Sequence, residues 1–465
     1  MTQEPGRPRR VMKFGGTSLG DAQRMAETAE IIRRHAGEAQ LVVVVSAMQL
    51  VTESLLQGAA AASRRETETW QAIGEELKNR HTEVCEALIP AGDRPPIRAQ
   101  VESALATFHE FCAGFSLVRE LTPRSLDSLS SLGEVISAAL MAAILRAGGL
   151  DAEAVDATQL IVTDDGFGNA SLIFEPTQQE VRSRLTPLLE RGTIPVVTGF
   201  RGATRDGSCT TLGRGGSDYS ATILGAALPA QEIWIWTDVA GMMTADPRLV
   251  PEARVIPELS YREAIELSFF GAKVLHPKSL DLPSRAGIPV LIKNSFDPDA
   301  AGTEVGGTHP GRPGVRAIAS TAEATLFTVS GDREMPFTRL AALVFAWLDA
   351  DRVSTLVVTQ SSAENVLTFA VNRADATRVR RRLDRERGPS LAGVEELLEV
   401  GVVVAVGEGM KGTPGIAARI CGSIARLGIN IAAIAQGSSE LSVSLVVQST
   451  DIPAAVRAMH QEFGL

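Results

Sequence analysis

The sequence predicts an α/β protein: a large α/β sandwich followed by two small α+β units that pack together. Three observations carry this. Up to about residue 310, short apolar runs alternate with amphipathic stretches of helical period. A Pro/Gly-rich segment, "HPGRPGV" at 309–315, then reads as a linker. Beyond it, "TLVVTQSSAENVLTFAV" (355–371) aligns with "IAAIAQGSSELSVSLVV" (431–447) at an offset of 76. A unit that short buries a sheet face poorly alone, so two copies are expected to pair.

The runs "LVVVVSAM" (41–48), "TIPVVTGF" (193–200), "EIWIWTDV" (232–239) and "IPVLIKNS" (288–295) are β-rich and apolar on both faces. That is the pattern of buried parallel strands. Helices are expected at 21–35, 133–148, 177–191 and 261–269, and 53–125 reads as mostly helical. Each repeat in the tail reads strand, glycine loop, helix, strand, turn, strand. Gly331 aligns with Gly407, Gln360 with Gln436 and Glu364 with Glu440.

Bulk properties narrow the function. The chain has 465 residues, 45% of them hydrophobic and 22% charged, with a net charge of −10. The acidic balance argues against nucleic acid or an acidic membrane as the main partner. Cys85, Cys112, Cys209 and Cys421 are scattered, without a C-x-x-C, as in a protein of a reducing cytoplasm. Neither a signal peptide nor a membrane-spanning run is expected.

The chemistry gathers at strand ends. "KFGGTSLGD" (13–21) follows a short strand and opens a helix. Its glycines let the backbone approach an anion, and Lys13 extends toward it. A tight turn with a solvated lysine explains this segment equally well. "TTLGRGGSDYSA" (210–221) surrounds Arg214 with Gly213, Gly215 and Gly216, and Ser217 and Asp218 start a helix. An arginine in a glycine loop suits bidentate binding of carboxylate or phosphate. Asp218 near a helix start has the alternative of a simple N-cap, but its closeness to Arg214 favours a role in the site. "WTDVAGMMTADPR" (236–248) supplies Thr237, Asp238 and Arg248, and "FGAKVLHPKS" (270–279) supplies Lys273. Two lysines, two arginines and aspartates at strand–helix junctions fit an enzyme handling MgATP, although no Walker A pattern occurs. His276 precedes a proline and reads as structural. "GEGMKG" (407–412) mimics a dinucleotide fingerprint, but the next strand ends in Gln436 rather than an acid, so no nucleotide is expected there.

In order, "KFGGTS", "SLGE" (131–134), "TTLGRGGSD", "WTDVAGMMTADPR" and "FGAKVLHP" resemble the aspartate kinases of the amino acid kinase family. The paired repeats resemble ferredoxin-like ACT domains. The resemblance implies a catalytic domain over 1–310, a first ACT unit over 311–396 and a second over 397–465. It implies transfer of the γ-phosphoryl group of ATP, with Mg2+, to the β-carboxylate of L-aspartate, the entry step to lysine, threonine and methionine.

Lys13 and Asp218 would be catalytic. Ser46, Thr52, Glu134, Arg214 and Ser217 would bind the amino acid, with Glu134 on its ammonium and Arg214 on its α-carboxylate. Gly15, Gly16 and Ser217 would donate hydrogen bonds around the phosphates. Thr237, Asp238, Met243, Arg248 and Lys273 would contact ATP. Read alone, Glu134 is an exposed first-turn glutamate favoured by the helix dipole. Two departures stand out: Glu53 where the family has asparagine, and Met243 where tyrosine is common.

Gly409, Met410, Gly415, Ile416 and Gln436 are the candidate effector contacts for threonine or lysine. In the first repeat Arg333, Pro336 and Arg339 replace the loop glycines, so an effector site there is expected to be lost or changed. A homodimer or larger homo-oligomer, a cytoplasmic location and the absence of a fused homoserine dehydrogenase complete the expectation. A sensor with a degenerate kinase fold and a kinase of another amino acid are the alternatives.

Overall fold

A computed structural model describes residues 7–271, 274–306, 314–332, 334–361, 365–387 and 391–465. Two compact units emerge. The first comprises residues 1–242, 257–261 and 274–307; the second comprises 243–256, 262–273 and 308–465. The linker expected at 309–315 lies outside the described residues except for its last two.

The strands of the first unit are β1 (Arg9–Phe14), β2 (Gln40–Val45), β3 (Ala152–Val155), β4 (Val162–Thr163), β5 (Ile194–Thr198), β6 (Arg201–Thr204), β7 (Cys209–Thr211), β8 (Glu232–Thr237), β9 (Glu258–Leu259), β10 (Val290–Asn294) and β11 (Thr303–Val305). Eight form one sheet in the order β3-β5-β2-β1-β8-β10-β11-β9. Its centre is parallel: Lys13 of β1 stands level with Val44 of β2 and Ile235 of β8. The four apolar runs expected as strands are β2, β5, β8 and β10, and β2 is buried from Leu41 to Val45.

The expected helices form as Ala22–His35, Leu132–Ala147, Phe174–Glu190 and Tyr261–Phe269, with Val51–Ser63, Thr67–Leu88 and Arg94–Val118 filling the helical stretch. Pro123–Ala147 is long and apolar enough to cross a membrane, yet 83% of its most apolar window is buried. It is a core segment of this unit. Sequence periodicity did not reveal the small sheet β4-β6-β7, whose strands of two to four residues are too short to show a period.

In the second unit, β12 (Ala317–Gly331), β13 (Thr355–Ser361), β14 (Val366–Asn372), β15 (Leu391–Val406), β16 (Ala433–Gln436) and β17 (Ser442–Gln448) form one sheet, ordered β13-β14-β12-β15-β17-β16. The offset of 76 is the repeat of the hydrophobic core. Leu340, Val344 and Leu348 are buried in one cluster, and Ile416, Ile420 and Ile424 in the other. Phe327, Leu367, Phe369 and Val379 likewise match Val403, Val443, Leu445 and Ala455.

The two long strands belong to both repeats. Residues 317–321 of β12 pair with 402–406 of β15, beside β17, while 326–330 pair with 393–397. The boundary expected at 397 therefore falls inside a shared strand, and the first strand after the linker serves the second repeat. The pairing of β12 shifts register between Thr321 and Leu326, and no glycine or proline there marks the switch between repeats in the sequence.

Candidate active site

β1 carries Lys13 to the end of the central sheet. Its Nζ lies 2.7 Å from Asp218 Oδ1, and the two side chains are only 10% and 11% exposed. The charges meet off the line of a hydrogen bond, leaving Asp218 Oδ1 without a hydrogen-bond donor among the described residues. Asp218 lies in the first turn of helix Gly216–Ala227, whose N-cap is Gly215, so the N-cap reading of Asp218 is not the one the fold adopts.

Gly15 and Gly16 provide closeness. A Cβ at Gly15 would stand 3.5 Å from Lys13 Nζ, and one at Gly16 would meet the Ala47 carbonyl at 3.0 Å. The Gly15 N–H already donates to the Trp236 carbonyl at 3.2 Å. Its expected role as a phosphate donor is therefore corrected to leaving space beside the lysine.

The segment 131–134 is built around the approach of the loop after β2 to the start of helix Leu132–Ala147. The Ser131 hydroxyl donates to the Asp127 carbonyl at 2.9 Å. A Cβ at Gly133 would overlap the Ala47 Cβ at 2.6 Å. That approach lets the Ala47 N–H, with the backbone N–H of Glu134 itself, donate to the Glu134 carboxylate. Glu134 is 3% exposed, which overturns the reading of an exposed first-turn glutamate. Burial pushes its carboxyl up to about 7, against the opposing effect of these N–H groups, Arg201 and Lys13. Its Oε2 is buried without a partner among the described residues. A dry carboxylate with a vacant lone pair is suited to an ammonium group.

Arg214 contrasts with it. The guanidinium is exposed and has no ion-pair or hydrogen-bond partner among the described residues. Gly213 and Gly215, at φ 77° and 71°, turn the chain through the left-handed region on either side of it. A Cβ at Gly213 would overlap Asn169 Oδ1 at 2.5 Å, and one at Gly215 would overlap His276 Cβ at 2.4 Å. Ser46 and Thr52 are half-buried, Glu53 is exposed, and Ser217 packs its hydroxyl against Gly199.

Sequence reading missed the supports of this loop. Asp127 is buried, and its carboxylate accepts from Gly168 N–H, Thr211 N–H and the Thr211 hydroxyl at 2.9, 2.9 and 2.7 Å. Lys278 Nζ donates to Asn169 Oδ1 at 2.8 Å. His276 is drawn below its ordinary range by burial, then by Lys278 and Arg214. Only its position after Lys273 in "FGAKVLHP" hinted at the site.

Thr237 and Asp238 lie at the end of β8, where the Thr237 hydroxyl donates to Asp238 Oδ1 at 3.2 Å. Lys273 lies outside the described residues. Met243 and Arg248 belong to the second unit, where Arg248 is exposed and paired with Asp246 at 2.6 Å. Among the described residues no three His, Cys, Asp or Glu side chains gather into a set that could hold a metal ion. Asp218, in a helix first turn, and Asp238, just after β8, could each lend one carboxylate to an ion held chiefly by other groups.

The candidate effector loop of the second repeat is partly committed. Met410 and Ile416 are core residues, 3% and 8% exposed. Gly415 caps helix Ile416–Ala425 at φ 87°. The Gly412 N–H of the same loop donates to Glu440 Oε2 at 2.7 Å. Gly409 pairs with Gly314, and Gln436 is exposed at the end of β16. In the first repeat Pro336 starts helix Phe337–Ala350 nearly one turn early, and Arg333 and Glu364 lie outside the described residues.

The model of the amino acid kinase family matches residues 8–294, and an ACT domain model matches 403–463. Bifunctional aspartokinase/homoserine dehydrogenase of Haemophilus influenzae is 33% identical over 97% of this chain and 56% of its own length. The chain spans about half the length of the bifunctional relatives it matches. Aspartokinase 2, chloroplastic, of Arabidopsis thaliana is 33% identical over 97% of this chain and 84% of its own. The structure of E. coli aspartokinase III in complex with aspartate and ADP superposes with a TM-score of 0.86 at 30% identity, covering 98% of this chain and all of that one. The same enzyme with lysine and aspartate gives 0.77 at 30% identity, over 97% and 98%.

Proposed function

The chain belongs to the amino acid kinase family, and on that premise we propose that it phosphorylates the β-carboxylate of L-aspartate with MgATP, giving 4-phospho-L-aspartate and ADP. The observation that carries this reading is the vacant, buried oxygen of Glu134, a seat for an ammonium, in the same unit as the unpaired Arg214, a seat for a carboxylate. A substrate held by both leaves one further carboxylate free to react. The match to an aspartokinase whose structure holds aspartate and ADP supports the same assignment.

A β-carboxylate oxygen attacks the γ-phosphorus, and the bond to the bridging oxygen of ADP breaks. A carboxyl with a pKa of about 4 is already ionised, so no general base is needed. The chain's task is positioning and charge neutralisation. Asp218 holds the Lys13 ammonium beside the open space of Gly15, facing the transferring group. Bound Mg2+ would neutralise phosphate charge, with Asp218 and Asp238 as the carboxylates within the first unit able to orient it. Within the first unit, Thr237 and Asp238 are the proposed nucleotide contacts.

The first repeat is read as a second ACT unit, supported by its matching core. The repeats are proposed to join two copies of the chain, supported by the exposed apolar Val358, Leu398 and Ile434 of this region. An amino acid, threonine or lysine, is the proposed effector. The four cysteines, free of disulfides, support a cytoplasmic location, whereas the plant relatives are chloroplastic by name.

The test is purified protein with MgATP, L-aspartate and hydroxylamine. Coloured hydroxamate with aspartate and none with glutamate is expected. Hydroxamate with glutamate only, or with neither, overturns the reading.

A further inference from the structure

Arg201 opens β6 and is buried, 9% exposed, with a guanidinium that lacks a full counter-charge. Its Nε is 3.4 Å from Asp156 Oδ1, yet has no hydrogen-bond acceptor among the described residues. Among the described residues its Nη2 reaches only the Cys209 sulfur, at 3.6 Å. That sulfur lies 3.7 Å from the hydroxyl of Ser131, the N-cap of the helix that carries Glu134 in its first turn. A buried cation with an unsatisfied nitrogen and a buried carboxylate with an unsatisfied oxygen therefore flank one helix start. Hydrogen bonds leave that nitrogen and that oxygen unmatched, and Arg201 favours the ionised form of Glu134 through a poorly screening interior.

We propose that Arg201 is a positioning residue acting through Glu134: its charge keeps the ammonium-binding carboxylate ionised in a closed pocket, and Asp156 moderates that charge. The proposal rests on the assignment of Glu134 to the substrate ammonium. The other charged groups around Glu134 do not substitute for Arg201. Lys13 on β1 also favours the ionised form, but Asp218 neutralises it at 2.7 Å. Asp127, on the preceding helix, spends its charge on Thr211 and Gly168. Cys209 on β7 is a weakly interacting thiol between the two, and Glu53 on helix Val51–Ser63 is exposed. Asp156 draws on Arg201 at 3.4 Å and its side chain is itself 32% exposed.

The arrangement predicts opposite effects from two substitutions. Removing the cation disfavours the ionised carboxylate; removing Asp156 favours it. A packing defect cannot produce that pair of signs.

The experiment is the pH dependence of KM for L-aspartate in the full chain, read from ADP formation between about pH 5.5 and 8.5. In the wild type, KM rises as pH falls through about 7. Arg201→Met is expected to move that midpoint up by about one pH unit, raising KM roughly tenfold near neutrality, with the alkaline plateau kept. Arg201→Lys is expected to restore the profile. Asp156→Asn is expected to move the midpoint down, with KM at acid pH lowered about threefold. KM for ATP and kcat should stay within about threefold throughout.

The proposal is overturned if Arg201→Met raises KM equally at every pH or leaves the midpoint alone, or if Asp156→Asn shifts it upward. If Arg201→Met does not fold, Arg201→Lys and Asp156→Asn still decide it by the same midpoints. Glu134→Gln separates this failure from that of the proposed function. If Glu134→Gln binds aspartate normally, the ammonium assignment itself is wrong. If it loses aspartate saturation while the other profiles stay put, only the role of Arg201 falls.

Discussion

Lys13 and Asp218 form a buried ion pair at 2.7 Å between a central strand and the first turn of a helix some two hundred residues later in the chain. Its energetics and its chemistry make separable demands. Removing one partner strands the other charge in a poorly solvated site, which costs about 3–5 kcal/mol in comparable pairs.

Lys13→Met and Asp218→Leu are each expected to lower kcat at least about a hundredfold and to lower the melting temperature. The double variant should recover most of the lost stability, because no uncompensated charge remains, while activity stays absent. Thermal melts and initial rates on all three variants check this. A double variant as unstable as the sum of the singles would refute the pair as the source of the cost.

Glu134 imposes a pH-dependent stability. Its carboxyl sits at about 7 in the folded chain against an ordinary value of 4.5. Between those values the folded state holds a proton that the unfolded state has released. Stability from this group therefore falls as pH rises through that window, and the penalty is complete above about 7. Glu134→Gln should be neutral near pH 4.5 and stabilising by roughly 1–3 kcal/mol at pH 8, in the absence of substrate. Aspartate should raise the melting temperature of the wild type only. Denaturant titrations at both pH values read the effect.

Arg214 presents its guanidinium unpaired, so its substitution should disturb binding more than folding. Arg214→Lys keeps the charge and loses the planar fork. KM for aspartate should rise about ten- to a hundredfold, with the melting temperature unchanged. A parallel loss of stability would mean the side chain has a partner of its own.

Asp127 is a support for that arginine, three residues beyond Thr211. Asp127→Ala leaves two backbone N–H groups and a hydroxyl without their acceptor, at a cost of about 2–4 kcal/mol. Asp127→Asn retains an acceptor and should cost less. Both should raise KM for aspartate more than KM for ATP, which steady-state kinetics with each substrate varied will show.

Glu440 sits on the Gly412 N–H that a free carboxylate would otherwise use. Glu440→Gln weakens this internal contact and should strengthen inhibition by threonine or lysine, lowering the half-inhibiting concentration by about threefold or more. Identical titration curves for wild type and variant would remove the Gly412 N–H from the effector site.

Local patterning was enough to read the strand–helix alternation, the parallel core strands and the repeat, because each is written in the periodicity of adjacent residues. The offset of 76 even named the core pairs Leu340 with Ile416 and Phe369 with Leu445. The glycines of 213–216 and the lysine of 13–18 marked the loops, since tight turns and anion sites restrict which residues fit. The burial of Glu134 was not legible in its neighbours. A glutamate in a first helical turn looks the same exposed or enclosed, and only the approach of Ala47 over Gly133 encloses it. Arg201 and Asp127 carried no motif either; their roles come from Glu134 and Thr211, which lie 67 and 84 residues away. Sequence determined the elements and the chemical inventory, because those depend on short-range sterics and hydrophobic period. Tertiary structure decided which charges are dry, which are paired and which stay free, because desolvation and Coulomb energy depend on what the folded chain brings alongside.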